Sequence, residues 1–348
     1  MSSISLISSS SSSPGSEVNP FATLPGDMGL EIFSHLPLIG RLQAAEISMR
    51  FRDWARVERF IKPEYREKFD GIDNEGSIKK ITDILKDAKD LGMDVTNVTF
   101  ENFKEIKEQV ENIKKDSVIK IWEEIQNNFS DLPGYPNFTE LKDKKYSEMI
   151  EKFDDWIDAN KGSITRLSLC NLKLKYLPAS IGNLSSLEWL DLDCNELTTL
   201  PDSIENLSNL EELYLGCNEL TVFPGSIGKL SSLKKMNLED NKLTILPSSI
   251  GNLRCLGYLN LENNKLTALP DSIGSLSNLE ELRLGYNKLT TLPDSIGDLS
   301  NLKWLIFKDN KLTTLPDSMQ ILKDKKPSCI IMHDPIPSFA SSAPCSIV

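Results

Sequence analysis

Residues 187–209 read LEWLDLDCNELTTLPDSIENLSN, and this stretch is one copy of a pattern that fills the second half of the chain. Its proline recurs at every twenty-third position without a break, and an asparagine stands six positions before six of the seven prolines. Seven in-phase copies predict a repeat structure in which each copy packs on the next. The prolines are Pro178, Pro201, Pro224, Pro247, Pro270, Pro293 and Pro316, and the asparagines are Asn195, Asn218, Asn241, Asn264, Asn287 and Asn310.

Within each copy, the order of apolar and polar residues predicts a short strand, a turn and a return segment. The Leu190–Leu192 portion alternates inward and outward side chains, and the strands of successive copies can pair into a parallel sheet. The asparagine side chain can bond backbone groups that are left unpaired at the turn, so stacked copies predict an asparagine ladder. Proline then fixes φ where the chain turns onto the convex side.

The repeats resemble those of leucine-rich-repeat proteins, which implies an α/β solenoid with a parallel sheet on its concave face. We assign seven repeats to residues 161–326. Because one repeat cannot bury its apolar face alone, stability is expected to come from stacking. The first copy has Leu172 at the ladder position and Asn171 one place earlier, an irregularity that is typical of a capping repeat.

The composition argues against several classes of function. Apolar residues make up 39% of the 348 residues, as in an ordinary globular protein. The formal net charge of -12 argues against binding to nucleic acid or to anionic lipid, which both require a basic surface. The six cysteines form no CxxC pair and the two histidines, His35 and His333, lie far apart, so neither a metal site nor a cofactor is predicted. No transmembrane helix and no secretory signal are predicted.

A segment near the N-terminus, residues 20–62, predicts two or three short helices because its apolar clusters are closed by proline. It resembles an F-box, and the alignment needs no gap. Asp27 stands where Glu is usual, Gly29 replaces an aliphatic residue, and Arg41 and Glu46 stand where apolar residues are common. The positions that match the family pattern are Leu24-Pro25, Ile32-Phe33, Leu36-Pro37, Leu42 and Ile47-Ser48, with Phe51 in place of Trp.

The F-box resemblance implies a docking function. F-box proteins bind the Skp-type adaptor of cullin-RING ubiquitin ligases through an apolar helical face, while a second domain, often leucine-rich repeats, selects the substrate. Such a protein contributes proximity and no catalytic residue. By this resemblance, the adaptor contacts would be Leu24, Pro25, Ile32, Leu36, Leu42, Ile47 and Phe51.

Residues 63–160 predict a helical spacer that also caps the N-terminal edge of the solenoid. Ile81, Leu85 and Ala88 share one helical face, and Gly92 predicts the end of that helix. Further short helices are predicted at 103–115, 118–129 and 146–160. Residues 1–19 are Ser-rich and predicted to be disordered. The whole chain is therefore predicted to be an α+β multidomain protein with a helical head, a helical spacer and an α/β solenoid.

The residues that flank the strand leucines are predicted to face the concavity. Aromatic side chains among mixed charges are typical of protein-binding surfaces, and an exposed Trp189 and Trp304 favour that function over a merely solvated surface. The partner-binding set is Trp189, Asp191, Asp193, Glu212, Tyr214, Lys235, Glu239, Tyr258, Glu262, Arg283, Tyr286, Trp304 and Lys308.

The cysteines suggest a reducing compartment. Cys194 and Cys217 occupy the same repeat position, so they are expected to be ladder neighbours about 5 Å apart. That separation suggests a disulfide, but parallel-strand geometry rarely suits one. Cys170, Cys255 and Cys329 are interpreted as buried or incidental thiols. In the tail, residues 327–348, Cys345 stands at the fourth position from the end and resembles a prenylation box, which would tether the protein to a membrane.

The arrangement of these segments is also similar to that of repeat effectors from intracellular bacteria such as environmental chlamydiae. We therefore expect a substrate-recognition subunit of a cullin-RING ubiquitin ligase, acting in a reducing cytosol, and in the host cytosol if it is an effector. The alternative is a leucine-rich-repeat scaffold or signalling adaptor that recruits no ligase. An enzyme with its own catalytic cysteine is not expected, because only 22 residues follow the repeats, too few for a catalytic domain of ordinary size.

Overall fold

The computed structural model describes residues 77–95, 98, 100–129, 131–134, 141, 143–325 and 327–334. The chain divides into two compact units, one of residues 1–83 and 95–103 and one of residues 84–94 and 104–348. The Ser-rich segment, the F-box-like segment and Cys345 lie outside the described residues, and so do the predicted adaptor contacts Leu24, Pro25, Ile32, Leu36, Leu42, Ile47 and Phe51.

Among the described residues, three helices precede the repeats: α1 (Ser77–Asp90), α2 (Phe100–Asn128) and α3 (Tyr146–Asn160). Gly92 follows α1 with a φ of 76°, as expected for a residue that ends a helix. The prediction of two helices within 103–129 was wrong, because α2 is continuous. Ser117 lies at the expected break, but it is buried, and no Gly or Pro interrupts the helix there.

The helical part of the second unit shares one core with the first repeat. The ring of Trp122 in α2 meets the ring of Phe153 in α3 edge to face, with centroids 5.2 Å apart. Ile157 of α3 and Ile164 and Leu167 of the first repeat are fully buried in the same cluster. The first repeat, which has no repeat before it, therefore buries its apolar side against helices.

A polar contact joins the same helices to the first repeat. Lys114 of α2 lies 2.5 Å from a carboxylate oxygen of Asp87, and its ammonium group is 4.8 Å from the ring centre of Tyr176. The Tyr146 hydroxyl donates to the Tyr176 hydroxyl at 3.3 Å, and burial raises the pKa of Tyr146 far above its usual value. A cation held by a carboxylate and an aromatic face is favourable where water is partly excluded.

The repeats form one parallel sheet whose strands follow chain order. Leu190 lies opposite Leu213, and the same one-repeat offset holds across each pair from the first to the seventh strand. The middle residue of each of these seven strands is buried and its neighbours are, with one exception at Asn260, more exposed, so one face of the sheet packs on the core. The strands are β1 (Arg166–Ser168), β2 (Trp189–Asp191), β3 (Glu212–Tyr214), β4 (Lys235–Asn237), β5 (Tyr258–Asn260), β6 (Glu281–Arg283), β7 (Trp304–Ile306) and β8 (Ile330–Met332).

On the opposite side, the return segment of each of the first six repeats forms one short 3-10 turn. Each turn begins after its proline, which is extended, and buries one isoleucine such as Ile204. Proline suits this position because the turn needs no N–H there. The turns are Ala179–Asn183, Asp202–Asn206, Gly225–Lys229, Ser248–Asn252, Asp271–Ser275 and Asp294–Asp298.

The predicted asparagine ladder is present. The Asn195 amide donates to the carbonyls of Leu169 and Leu192, and its oxygen accepts from the N–H groups of Leu172 and Leu174. The next five ladder asparagines repeat the pattern with one accepted N–H each. Each side chain thus joins two repeats through backbone groups that the turn leaves unpaired.

The sheet continues past the predicted end of the repeats at residue 326. Helix α4 (Ser318–Lys325) replaces the seventh 3-10 turn, and β8 then pairs with β7 in a register that places Ile330, not residue 327, opposite Trp304. The ring of His333 stacks on Phe307 with centroids 5.3 Å apart, and Asp334 accepts a hydrogen bond from the N–H of Asp309 at 2.6 Å. Part of the predicted tail therefore belongs to the solenoid.

Candidate functional site

The candidate site is the face of the sheet that turns away from the core, which we call the open face. Three rows of side chains cross it, at the first residue of each strand, at the third residue, and two residues beyond. The predicted partner-binding residues fall into these rows, except for Tyr286. The first row holds Trp189, Glu212, Lys235, Tyr258 and Trp304, the second Asp191, Tyr214 and Arg283, and the third Asp193, Glu239, Glu262 and Lys308.

The two tryptophans of the first row have different surroundings. Arg166, the neighbour of Trp189 on β1, places its guanidinium 4.5 Å from the ring centre, and Tyr214 lies 6.0 Å away on the other side. The prediction that Trp189 is exposed was therefore wrong, because a cation–π contact and a ring cover it. Trp304 remains 39% exposed.

The charged side chains of the open face separate into paired and crowded groups. Glu212 accepts from the Tyr214 hydroxyl at 2.6 Å and pairs with Lys235 at 3.0 Å. Arg283 pairs with Glu281 at 2.6 Å and reaches Glu262 at 3.8 Å. A second group, which we call the acidic strip, runs across β2 to β5 and consists of Asp191, Asp193, Glu239, Asp240 and Glu262.

The acidic strip is electrostatically crowded. Burial raises the pKa of Asp193 to about 6, and the charges of Asp191 and Glu239 add to the rise even though the Gly216 N–H donates to its carboxylate at 2.5 Å. Burial also raises the pKa of Glu262, against the opposing effect of Arg283. Carboxylates that ionise reluctantly stand to gain from a cation brought beside them.

We expect Asp193→Asn to change how stability depends on pH. Because the folded-state pKa of Asp193, about 6, exceeds its unfolded value of 3.8, ionisation favours the unfolded chain, and the free energy of unfolding falls as the pH rises between these two values. The amide can keep the Gly216 hydrogen bond but does not ionise, so this fall should shrink. Urea unfolding at pH 4, 5, 6 and 7 measures it, with Asp202→Asn as the exposed-charge control. Equal slopes for the two variants would contradict the prediction.

One turn position precedes the ladder asparagine and has a left-handed backbone in every repeat. It is occupied by Asn171, Cys194, Cys217, Asp240, Asn263, Tyr286 and Asp309, with φ between 52° and 58°. Asparagine and aspartate tolerate this conformation, whereas other side chains are strained in it. Tyr286 is 57% exposed there, so little packing offsets the strain.

We therefore expect Tyr286→Asn to raise the free energy of unfolding by about 0.5–1 kcal/mol, because asparagine adopts the left-handed conformation at lower cost. The matched reverse change, Asn263→Tyr at the equivalent position, should lower it by a similar amount. Chemical unfolding of the two variants and the wild type measures both effects. Shifts of the same sign in both variants would show that the backbone conformation does not decide the outcome.

The open face ends in four apolar side chains, which we call the apolar patch: Trp304 and Ile306 on β7, and Ile330 and Met332 on β8. The sequence prediction missed Ile330 and Met332. The β7–β8 register is three residues longer than the repeat period, so the period does not predict β8. The only sequence signal for this strand is the apolar run Ile330-Ile331-Met332. Trp304 and Ile330 are 39% and 41% exposed, so adjacent apolar side chains remain at the surface of the described residues.

The described cysteines form no disulfide. Cys170, Cys194, Cys217 and Cys255 are exposed and Cys329 is half-buried, so Cys170 and Cys255, which were interpreted as buried or incidental thiols, are not buried. Burial raises the pKa of the Cys217 thiol to about 11, with Cys194 and Asp240 adding to the rise. Within the described ranges, His, Cys, Asp and Glu side chains form no cluster suited to a metal ion. No helix in that part of the chain has the length and apolar character needed to cross a bilayer.

Comparison with known proteins agrees with this geometry. Residues 164–246 and 241–325 match the family model of the leucine-rich repeat region. This segment is a leucine-rich-repeat region. Regions of this kind are scaffolds for protein–protein interaction, because their stacked repeats present an extended concave surface. No match to a curated protein was found.

Among solved structures, the chain is similar to a leucine-rich-repeat protein of Leptospira interrogans, with 32% identity over 59% of this chain and 52% of that one, at a TM-score of 0.49. It is also similar to a plant peptide hormone receptor in complex with RGF2, at 30% identity over 45% and 26% of the two chains and a TM-score of 0.40. An internalin of Listeria monocytogenes matches at 22% identity over 51% and 50%, with a TM-score of 0.41. The chain thus spans about half or less of each of these proteins.

Proposed function

We propose that the leucine-rich-repeat region holds a target protein on its open face, and that the chain presents this target to a cullin-RING ubiquitin ligase. The observation that carries the first part is the exposed apolar patch beside an acidic strip whose carboxylates outnumber the cations that reach them among the described residues. Aromatic and aliphatic anchors next to charged side chains are typical of protein-binding surfaces. The charge of the strip gives the surface a preference among partners.

The ligase part of the proposal rests on the F-box-like segment. Its apolar positions would dock a Skp-type adaptor while the repeats hold the target, so that the chain supplies orientation and no catalytic group. This places the protein in a reducing cytosol, which is the host cytosol if it is a bacterial effector. Membrane attachment would follow only if Cys345 is prenylated.

An adaptor pull-down with the intact chain tests the ligase part. The wild type should capture a recombinant Skp-type adaptor, and the double variant Leu36→Asp with Ile47→Asp should not, because two charges would enter the apolar docking face. Trp304→Ala is the matched control and should capture the adaptor as the wild type does. Failure of the wild-type chain to bind would refute ligase recruitment.

The departures at Gly29, Arg41 and Glu46 favour a second candidate, a leucine-rich-repeat scaffold or signalling adaptor without ligase recruitment. It would hold the same target by the same open face, and no Skp-type adaptor would bind. The adaptor pull-down therefore separates the two functions, since target binding is common to both.

A further inference from the structure

The apolar patch lies at one end of the open face, next to residues of very different character. The register of β7 and β8 places Trp304 beside Ile330 and Ile306 beside Met332. On β6, the strand next to the patch, Glu281 lies beside Trp304 and Arg283 beside Ile306. An exposed apolar patch with a polar border marks a binding surface.

The charges along the open face have a direction. The acidic strip occupies the β2–β5 end, and Arg283 on β6, which reaches it through Glu262, is also held by Glu281 at 2.6 Å. At the other end, the third row carries the exposed Lys308 and also Asp334, whose carboxylate accepts from the Asp309 N–H, so the apolar patch there has a border of mixed charge. A ligand with a positive end and an apolar end therefore fits the face in one orientation, with its cation over the acidic strip.

In the third row of the open face, a glycine separates the acidic strip from Lys308. Gly285 lies between Glu262 and Lys308 in this row, and a Cβ placed on it would lie 3.0 Å from a Glu262 carboxylate oxygen. The Glu262 side chain thus lies close to Gly285, two residues beyond β6, which is the strand between the acidic strip and the apolar patch.

We propose that the open face binds an extended cationic peptide segment of the target protein, with a large apolar side chain on the apolar patch and Lys or Arg on the acidic strip. The proposal deepens the target-binding role proposed above and rests on it. The two strand spacings from β5 to β7 amount to about 10 Å, and the row of Glu262 lies about 7–13 Å along the strands from the rows of Ile306 and Trp304. The total separation of about 12–16 Å is spanned by four or five residues of extended chain. The recognised sequence should therefore place a basic residue four or five positions from an aromatic or branched aliphatic one.

Other occupants fit less well. An acidic segment would be repelled by the strip, whose carboxylates already crowd one another. A second copy of this chain would bring an acidic strip against an acidic strip if the two open faces met. A segment that carries its own cation instead relieves the repulsion and buries Trp304 at the same time.

Display of random twelve-residue peptides against the full chain tests the proposal. We expect the enriched peptides to carry Lys or Arg four or five positions from Trp, Phe, Leu or Ile. The strongest of them, synthesised with a fluorescent label, then serves as the probe for anisotropy titrations. Enrichment of acidic or uncharged sequences, or no enrichment, would overturn the proposal.

The variants separate the two parts of the site. Trp304→Ala should weaken binding of this probe about tenfold or more, as loss of a central anchor does. Ile245→Ala, which truncates an exposed apolar side chain outside the three rows of the open face, should change it less than about twofold. Glu239→Gln with Glu262→Gln should weaken binding and reduce its dependence on salt. Equal losses for Trp304→Ala and Ile245→Ala, or no change in salt dependence, would contradict the assignment.

Two further measurements distinguish this inference from the proposed function. Sedimentation of the wild type and of Trp304→Ala detects self-association, and a dimer that requires Trp304 would assign the patch to a second copy and overturn the peptide proposal. The adaptor pull-down does not use the open face. Its failure would refute ligase recruitment while leaving the peptide result in force, and its success would not rescue a failed peptide display.

Discussion

Asn241→Leu should lower the free energy of unfolding by about 3–6 kcal/mol, since it leaves several buried backbone groups without a partner at about 1–3 kcal/mol each. The Asn241 amide donates to the carbonyl of Leu215 at 2.8 Å and to that of Leu238 at 3.2 Å, and its oxygen accepts from the N–H of Leu220 at 3.0 Å. The side chain is only 6% exposed, so water has little access to replace these bonds. Leucine has a similar volume, which keeps the change in packing small.

The last ladder residue, Asn310, is the matched control. It makes equivalent bonds to Leu284, Phe307 and Leu289, but it is half-buried, so water can replace part of what leucine removes. Asn310→Leu should therefore cost about a third as much, on the order of 1–2 kcal/mol. Urea unfolding followed by circular dichroism measures both variants. Similar losses at the two positions would show that burial does not set the strength of the ladder.

The repeat region could be predicted from sequence because its period also fixes its register. Once the prolines recur at a constant interval, the partner of Leu190 must be Leu213, and that of Asn195 must be Asn218. Strand pairing usually joins residues that are far apart in sequence and is hard to predict, but here each strand pairs only with the strands of the adjacent repeats. The same offset could have shown that Arg166 lies beside Trp189, and thus that this tryptophan is covered.

The period gives no information where it breaks. The β7–β8 register departs from the repeat interval and α4 replaces a 3-10 turn, so neither the last strand nor the apolar patch follows from the repeat. The break predicted between residues 115 and 118 is absent from α2, because packing overrides a local preference when the residue is buried, as Ser117 is. The crowding of carboxylates in the acidic strip depends on distances between side chains on several strands, and these distances cannot be predicted from amino-acid composition.

We expect Gly251→Ala to lower the free energy of unfolding by about 1–3 kcal/mol, the usual cost of overpacking. A Cβ at Gly251 would lie 2.3 Å from the backbone carbonyl oxygen of Ser272, in the 3-10 turn of the next repeat. The Cβ is bonded directly to the main chain and the carbonyl oxygen is part of it, so neither can rotate away. The clash can therefore be relieved only if the two turns move apart. The alanine also restricts the unfolded chain, a gain of about 0.4–1 kcal/mol that is too small to offset the clash.

Gly225→Ala is the control because it also changes a glycine in a 3-10 turn, at a site where a Cβ would meet nothing within 4 Å. It should be neutral or slightly stabilising. Thermal and urea unfolding of the two variants separate the clash from the general effect of losing a glycine. A Gly251→Ala protein as stable as the wild type would show that the turns slide apart at no cost.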